Sequence, residues 1–229
     1  MKTLLVIPAR AGSKGVPRKN LKLIGGRPLI SYAIEIALAA VRADRVIVST
    51  EDEEIADVAR TAGAEVPFLR PSELATDQVS LIPVAQHAAE AMSDLGFAAD
   101  AVLTLQATSP MHRPETIDAA IDLMDRTQSD SVSTVVEISE HPYRAFSLED
   151  DVRLQSLFPD KTHLLQRQDR PKYYRQTGGL YLRRRALLET WSGRDFCLGD
   201  DARAIIVPQE EALNIDTITD FRLAELLLS

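Results

Sequence analysis

The sequence predicts an open, mostly parallel α/β sheet with helices on both faces. Three observations carry that expectation. Short apolar runs of strand length alternate along the chain with longer segments of helical period. The runs at 3–7 (TLLVI) and Ala101–Leu105 (AVLTL) lack the polar alternation of a half-exposed strand, so they read as strands buried on both faces. The 229 residues are 45% hydrophobic and 26% charged, ordinary globular usage that argues against disorder.

Each element follows in order. The strand at 3–7 runs into a loop containing glycine. Residues 28–41 (PLISYAIEIALAAV) read as a helix, with Pro28 in its first turn and Leu29, Ala33, Ile36 and Ala37 on one face. Arg45–Ser49 is the next strand, 52–62 a helix closed by Gly63, and 64–68 a third strand. Residues 81–95 form a helix, Ala101–Leu105 a strand, 115–126 a helix beside Pro114, and Ser131–Glu137 a strand. The period then breaks. Residues 139–174 are rich in proline, aromatics and charge and read as an arm or lid leaving the sheet. Alternation resumes at 178–183, and Ile218–Leu228 closes the chain as a helix. In open sheets of this kind, ligands bind at the C-terminal strand edges.

Composition excludes several functions. The single cysteine, Cys197, rules out an internal disulfide framework and any cysteine-built metal site. No apolar run approaches the ~20 residues that span a bilayer, and the first ten residues lack a signal-peptide pattern. The expectation is a soluble cytoplasmic protein with no membrane partner. A net charge of −8 weighs against a nucleic-acid partner. The basic residues are nonetheless clumped: Arg10, Lys14, Arg18, Lys19 and Lys22 near the start, and Arg167, Arg170, Lys172 and Arg175 later. Local basic clusters on an acidic chain point to a small, highly charged anion. A third cluster, Arg183 to Arg185, reads as a solvated helix start.

The loop at 8–20 (PARAGSKGVPRKN) is the most informative stretch. Gly12 and Gly15 permit tight turns that bring amide N–H groups toward a ligand. Lys14 and Lys19 supply point charges and Arg10 a forked donor, all suited to phosphate oxygens. The loop is neither a Gly-x4-Gly-Lys-Ser/Thr phosphate loop nor a GxGxxG dinucleotide fingerprint.

This loop resembles the nucleotide-binding segment of the acylneuraminate cytidylyltransferase family, the CMP-sialic acid synthetases and their relatives for other nonulosonic acids. The resemblance continues in order through 69–77 (LRPSELATD), 105–110 (LQATSP), 174–181 (YRQTGGLY) and 214–217 (NIDT). It implies a Rossmann-like nucleotidyltransferase fold, one domain over 1–229 with 139–174 as an inserted arm for dimerisation and sugar binding. It implies a reaction joining CTP to the anomeric hydroxyl of a 2-keto sugar acid, giving a CMP-sugar and pyrophosphate. Position by position, Arg10, Ser13, Lys14 and Lys19 would hold the triphosphate, with Arg10, Lys14 and Lys19 as catalytic cations. Asn20, Arg70, Ser80 and Gln106 would face the nucleotide. Gln106, Arg144, Arg167, Arg175 and Tyr181 would hold the sugar acid, and Asp216 with Asn214 a Mg²⁺ ion. Members are homodimers whose arms cross to the partner's site.

The residues alone leave alternatives beside these roles. Arg70 also fits a surface arginine, Gln106 a hydrogen-bond hub in the core, and Tyr181 an inward-packing strand residue. The family commonly shows Asp-Ile-Asp-Thr where this chain has Asn214-Ile-Asp-Thr217, and asparagine offers a carbonyl oxygen without charge. Asn214 leaves a catalytically weakened nucleotide-binding homologue as an alternative, and because the loop gives no clean readout of the base, another base or another sugar acid such as Kdo also stands. Several relatives carry asparagine at Thr177, where a ligand hydrogen bond would change. His87, His112, His141 and His163 match no metal spacing and read as structural or surface residues, as do Cys197 and Trp191.

Overall fold

The structure, a computed structural model, describes residues 1–13, 15–163 and 166–228. Lys14 and the side chain of Arg167, both predicted site residues, lie outside the described residues. The chain opens with β1 (Thr3–Pro8), then a two-strand ribbon of β2 (Leu23–Ile24) and β3 (Arg27–Pro28), which leads into α1 (Leu29–Ala39). α1 buries Leu29, Ile30, Ala33, Ile34 and Ala37, the stripe expected of a helix packed on a sheet. β4 (Arg45–Ser49) precedes α2 (Glu53–Thr61), where the Asp52 carboxylate caps the helix by accepting the Ile55 N–H at 2.9 Å. α3 (Leu81–Asp94), β5 (Ala101–Leu105), α4 (Pro114–Thr127) and β6 (Ser131–Glu137) follow. The chain then leaves the sheet and forms a small hairpin of β7 (Phe146–Leu148) and β8 (Leu154–Ser156). It returns as β9 (Tyr174–Arg184), followed by α5 (Arg185–Glu189), β10 (Ala202–Ile206) and α6 (Ile218–Leu228).

Six strands form one sheet in the order β10-β6-β9-β5-β1-β4. β1 pairs in parallel with both β4 and β5, so Leu5 lies between Val46 and Leu103. β9 alone runs antiparallel, between β5 and β6. Side chains on β1 alternate between two cores. Leu5 and Ile7 pack with α1, α2 and α4, while Leu4 and Val6 pack with α3. This is why the run is apolar throughout. The C-terminal ends of β1, β4 and β5 share one edge, and the reversed β9 brings Gly178 and Gly179 to that same edge beside Gln106. Among the described residues no helix is long and apolar enough to cross a membrane.

The structure corrects four local expectations. Residues 64–68 are not a strand: only Glu65 bridges Ile47, and Pro67, lacking an N–H, cannot extend the ladder. β10 escapes the sequence reading because it lies on the sheet edge with four of its five residues exposed, leaving no apolar face to recognise. The arm contains a hairpin. Finally, Arg183 and Arg184 belong to β9 rather than to a solvated helix start. Arg183 is buried, its Nε donating to the Cys197 carbonyl at 2.8 Å and its Nη2 to that of Phe196 at 3.1 Å.

Candidate active site

The loop after β1 and the strand edge enclose a cavity of about 330 Å³. Arg10, Ser13, Lys19 and Asn20 line it from the loop side, Arg70 and Ser80 from the opposite wall, and Gln106 and Asp216 from its ends. Eight predicted residues from five sequence segments therefore meet in one place. Asn20 is buried, and its Nδ2 donates to the Arg10 carbonyl at 2.9 Å, closing the loop on itself. Lys19 reaches across to the segment before α6, where its Nζ donates to the Ile215 carbonyl and lies 3.2 Å from Asp216 Oδ1. Gly15 is what permits that approach: a Cβ there would stand 2.0 Å from the Asp216 carbonyl oxygen.

The opposite wall is held by charge. Arg10 Nη2 pairs with Asp77 Oδ1 at 2.7 Å, tying the loop to the segment before α3. Arg70, buried to 5% exposure, pairs through Nη2 with Glu51 Oε2 at 2.8 Å. The other Glu51 oxygen accepts the Ala11 N–H at 2.8 Å. Burial and this ion pair argue against a surface role for Arg70.

Gln106 works both as a hub and as a wall. Its Nε2 donates to the Gly178 carbonyl, and its Oε1 accepts from Thr108 Oγ1 at 3.2 Å. It also borders a second, adjoining cavity of about 730 Å³ whose walls include Tyr181, Trp191 and Phe196. Tyr181 thus sits at a cavity and not in the closed core. Burial raises its hydroxyl pKa, opposed by Arg183, whose guanidinium lies 4.6 Å from the ring centroid. Trp191 is part of that wall, with Nε1 donating to the Asp195 carbonyl at 3.1 Å.

The remaining predicted residues are dispersed. Asn214 and Arg175 border a separate cleft on the α6 side, which Asp216 joins to the first cavity. Asn214 Nδ2 donates to Asp216 Oδ2 at 3.4 Å, while its Oδ1 is buried without a hydrogen-bond partner. Arg144 lines a cleft at the root of the arm with His141 and Tyr173. Within one chain, neither arginine reaches the two cavities. Thr177 also lines the cleft on the α6 side; it is buried, and its hydroxyl lies 2.5 Å from that of Thr134 inside the sheet. Among the histidines, His87 lies edge-on to Phe68, and His141 stacks on Tyr173. Burial lowers the His87 pKa.

The sequence reading missed Glu51, Asp77 and Thr108. Glu51 stands two residues beyond a strand that ends at the site edge, so the strand-end rule pointed to its loop. Nothing local distinguished it from its acidic neighbours Asp52, Glu53 and Glu54.

The family model described as cytidylyltransferase matches residues 4–196. The pseudaminic acid cytidylyltransferase of Campylobacter jejuni is 34% identical over 227 residues, covering 99% of this chain and 96% of the relative. The CMP-N,N'-diacetyllegionaminic acid synthase of Legionella pneumophila is 34% identical over 230 residues, covering 100% and 97%. Among solved structures, a CMP:2-keto-3-deoxy-manno-octonic acid synthetase complexed with CTP shares the fold, with a TM-score of 0.74 at 21% identity, covering 100% of this chain and 98% of that one.

Proposed function

The chain belongs to the cytidylyltransferase family, and on that premise we propose that it activates a nonulosonic acid by transferring CMP to it from CTP. The observation that carries the reading is the meeting of Arg10, Ser13, Lys19, Asn20, Arg70 and Gln106 around one cavity in a chain similar over its whole length to enzymes named for pseudaminic and legionaminic acids. The first cavity would take the nucleotide. The adjoining one, with its aromatic wall, would take the sugar acid. Gln106 and Ser80 border both.

In the reaction, the anomeric hydroxyl oxygen attacks the α-phosphorus. The bond from that phosphorus to the α,β-bridging oxygen breaks, pyrophosphate leaves with the bonding pair, and the hydroxyl proton passes to solvent. Lys19, Arg10 and the loop amides would offset charge on the phosphate oxygens, the kind of preorganised stabilisation that lowers such barriers. A triphosphate would compete with Asp77 for Arg10 and with Asp216 for Lys19.

Magnesium fits the residues present. Among the described residues no three His, Cys, Asp or Glu side chains converge on one point. A divalent ion would therefore depend on Asp216, the unpartnered Asn214 oxygen and the nucleotide's own phosphates, the usual manner for Mg²⁺. When bound, it would draw charge from the phosphate oxygens. We read the chain as a cytoplasmic homodimer whose arms, residues 139–174, reach the partner's site, so that some of Arg144, Arg167 and Arg175 complete the site in trans.

Pyrophosphate release by the purified protein with Mg²⁺, testing CTP against ATP, GTP and UTP over a panel of 2-keto sugar acids, tests the reading. Turnover with CTP and a nonulosonic acid is expected. Turnover only with Kdo would correct the acid, and CTP binding without turnover would favour the weakened homologue.

A further inference from the structure

We propose that Glu51, which lines neither cavity, is a positioning residue for the nucleotide. Its carboxylate ties the loop after β1 to Arg70 and sets the two walls of the first cavity against each other. The inference rests on the nucleotide reading above.

Glu51 makes two contacts at once. Oε1 accepts the Ala11 N–H and Oε2 accepts from Arg70 Nη2, each at 2.8 Å. Ala11 lies between Arg10 and the glycine turn, so the carboxylate fixes the loop from behind and leaves its inner side to a ligand. The Arg70 side chain is 3% exposed, and its Nε has no hydrogen-bond partner. Its backbone N–H donates to the Thr50 carbonyl at 2.7 Å, which anchors the residue beside the end of β4. A guanidinium this deeply buried needs a carboxylate, because removing one member of a buried pair strands the other charge. Glu51 is that partner. The nearby Asp52 and Glu54 carboxylates are engaged by Arg18, so neither replaces it. Glutamine cannot do the same work: it has one acceptor oxygen for two donors, and its NH₂ would face another donor.

The test compares wild type with Glu51→Ala, Glu51→Gln, Arg70→Ala and the double variant Glu51→Ala/Arg70→Ala. CTP binding is measured by calorimetry without sugar acid, KM and kcat for both substrates by pyrophosphate release, and Tm by calorimetry. Glu51→Ala is expected to weaken CTP binding and raise the CTP KM about tenfold or more, the scale of a misplaced binding group. The KM for the acid should stay within about twofold. Glu51 and Arg70 act as a unit, so the double variant should be little worse than the poorer single one. Glu51→Gln, equal in size, gives the reading if the alanine variant fails to fold. A lowered Tm with unchanged CTP affinity, or single effects that multiply in the double variant, would overturn the proposal and leave Glu51 a structural residue. Wild type that binds no CTP sinks the nucleotide reading and this proposal together; wild type that binds CTP with Glu51 variants unaffected sinks this proposal alone.

Discussion

At Gly15 an added Cβ would meet the Asp216 carbonyl oxygen, whereas at Gly12 nothing lies within 4 Å. The two glycines look equivalent in the sequence, and contacts from a segment two hundred residues away in the chain separate them. Gly15→Ala must push the loop off the segment before α6 that carries Asp216, so kcat/KM for CTP should fall about 10²-fold. Gly12→Ala should stay near wild type in the same assay; equal losses would show that the loop does not seat on residue 216. Asn214 makes a second case. Its buried Oδ1 lacks a partner and its Nδ2 bonds Asp216, so Asn214→Asp would set two carboxylates side by side. Without a cation that repulsion should lower Tm. Mg²⁺ should then raise Tm more in the variant than in wild type, because ligand bound only to the folded state stabilises it. A melting series with and without Mg²⁺ reads this independently of turnover, and an identical Mg²⁺ response in both proteins would place the ion elsewhere.

The start of α6 supports Asp216. Thr217 Oγ1 accepts the Asp220 N–H at 3.2 Å, and Asp220 Oδ2 accepts the Thr217 N–H at 2.8 Å and that of Asp216 at 3.1 Å, a capping box. Burial opposes ionisation of Asp220, yet the hydrogen bonds from Thr217 and Asp216, with the charge of Lys19, outweigh it and hold the carboxyl below its ordinary value of 3.8. A depressed folded pKa means the stabilisation is complete above that value and is lost as pH falls through the folded one. Asp220→Ala should therefore cost about 1 kcal/mol near neutral pH, and the Tm gap to wild type should narrow below pH 3.8. A gap constant with pH would remove the ionised cap from the account. Elements of this kind were legible where physics acts locally. β1 and β5 declared themselves as apolar runs, and α2 as a helical segment closed by Gly63. β10 did not, because an edge strand with four exposed residues has no burial pattern to read. The reversed direction of β9 did not either, since strand direction is set by which neighbours it pairs with. The site divides in the same way. The β1 loop was readable because its donors are contiguous, whereas Glu51 matters only through Ala11 and Arg70, which folding brings to it.

At the scale of the whole molecule, the predicted acid-binding arginines pose the geometric question. Arg144 lies at the root of the arm, and Arg175 lies in the cleft beside Asn214, both away from the two cavities of their own chain. The hairpin beyond Arg144 exposes Phe146, Leu148 and Leu154, more apolar surface than an isolated arm needs. Both facts fit the proposed exchange of arms between two copies, in which each site is completed by its partner. Complementation tests it directly. Lys19→Ala removes a cation from the cavity of its own chain, and Arg144→Ala removes one from the arm. Each variant alone should lose most activity. If arms exchange, a mixed dimer has one site carrying both lesions and one carrying neither. Random reassortment makes half the dimers mixed, so co-refolded protein should recover about one quarter of wild-type activity. If Arg144 serves its own chain, every site in the mixture carries a lesion and no recovery occurs. Light scattering on the same samples distinguishes the remaining case: a monomeric wild type would mean that the exposed hairpin residues have another purpose and that the arm arginines do not complete a neighbour's site.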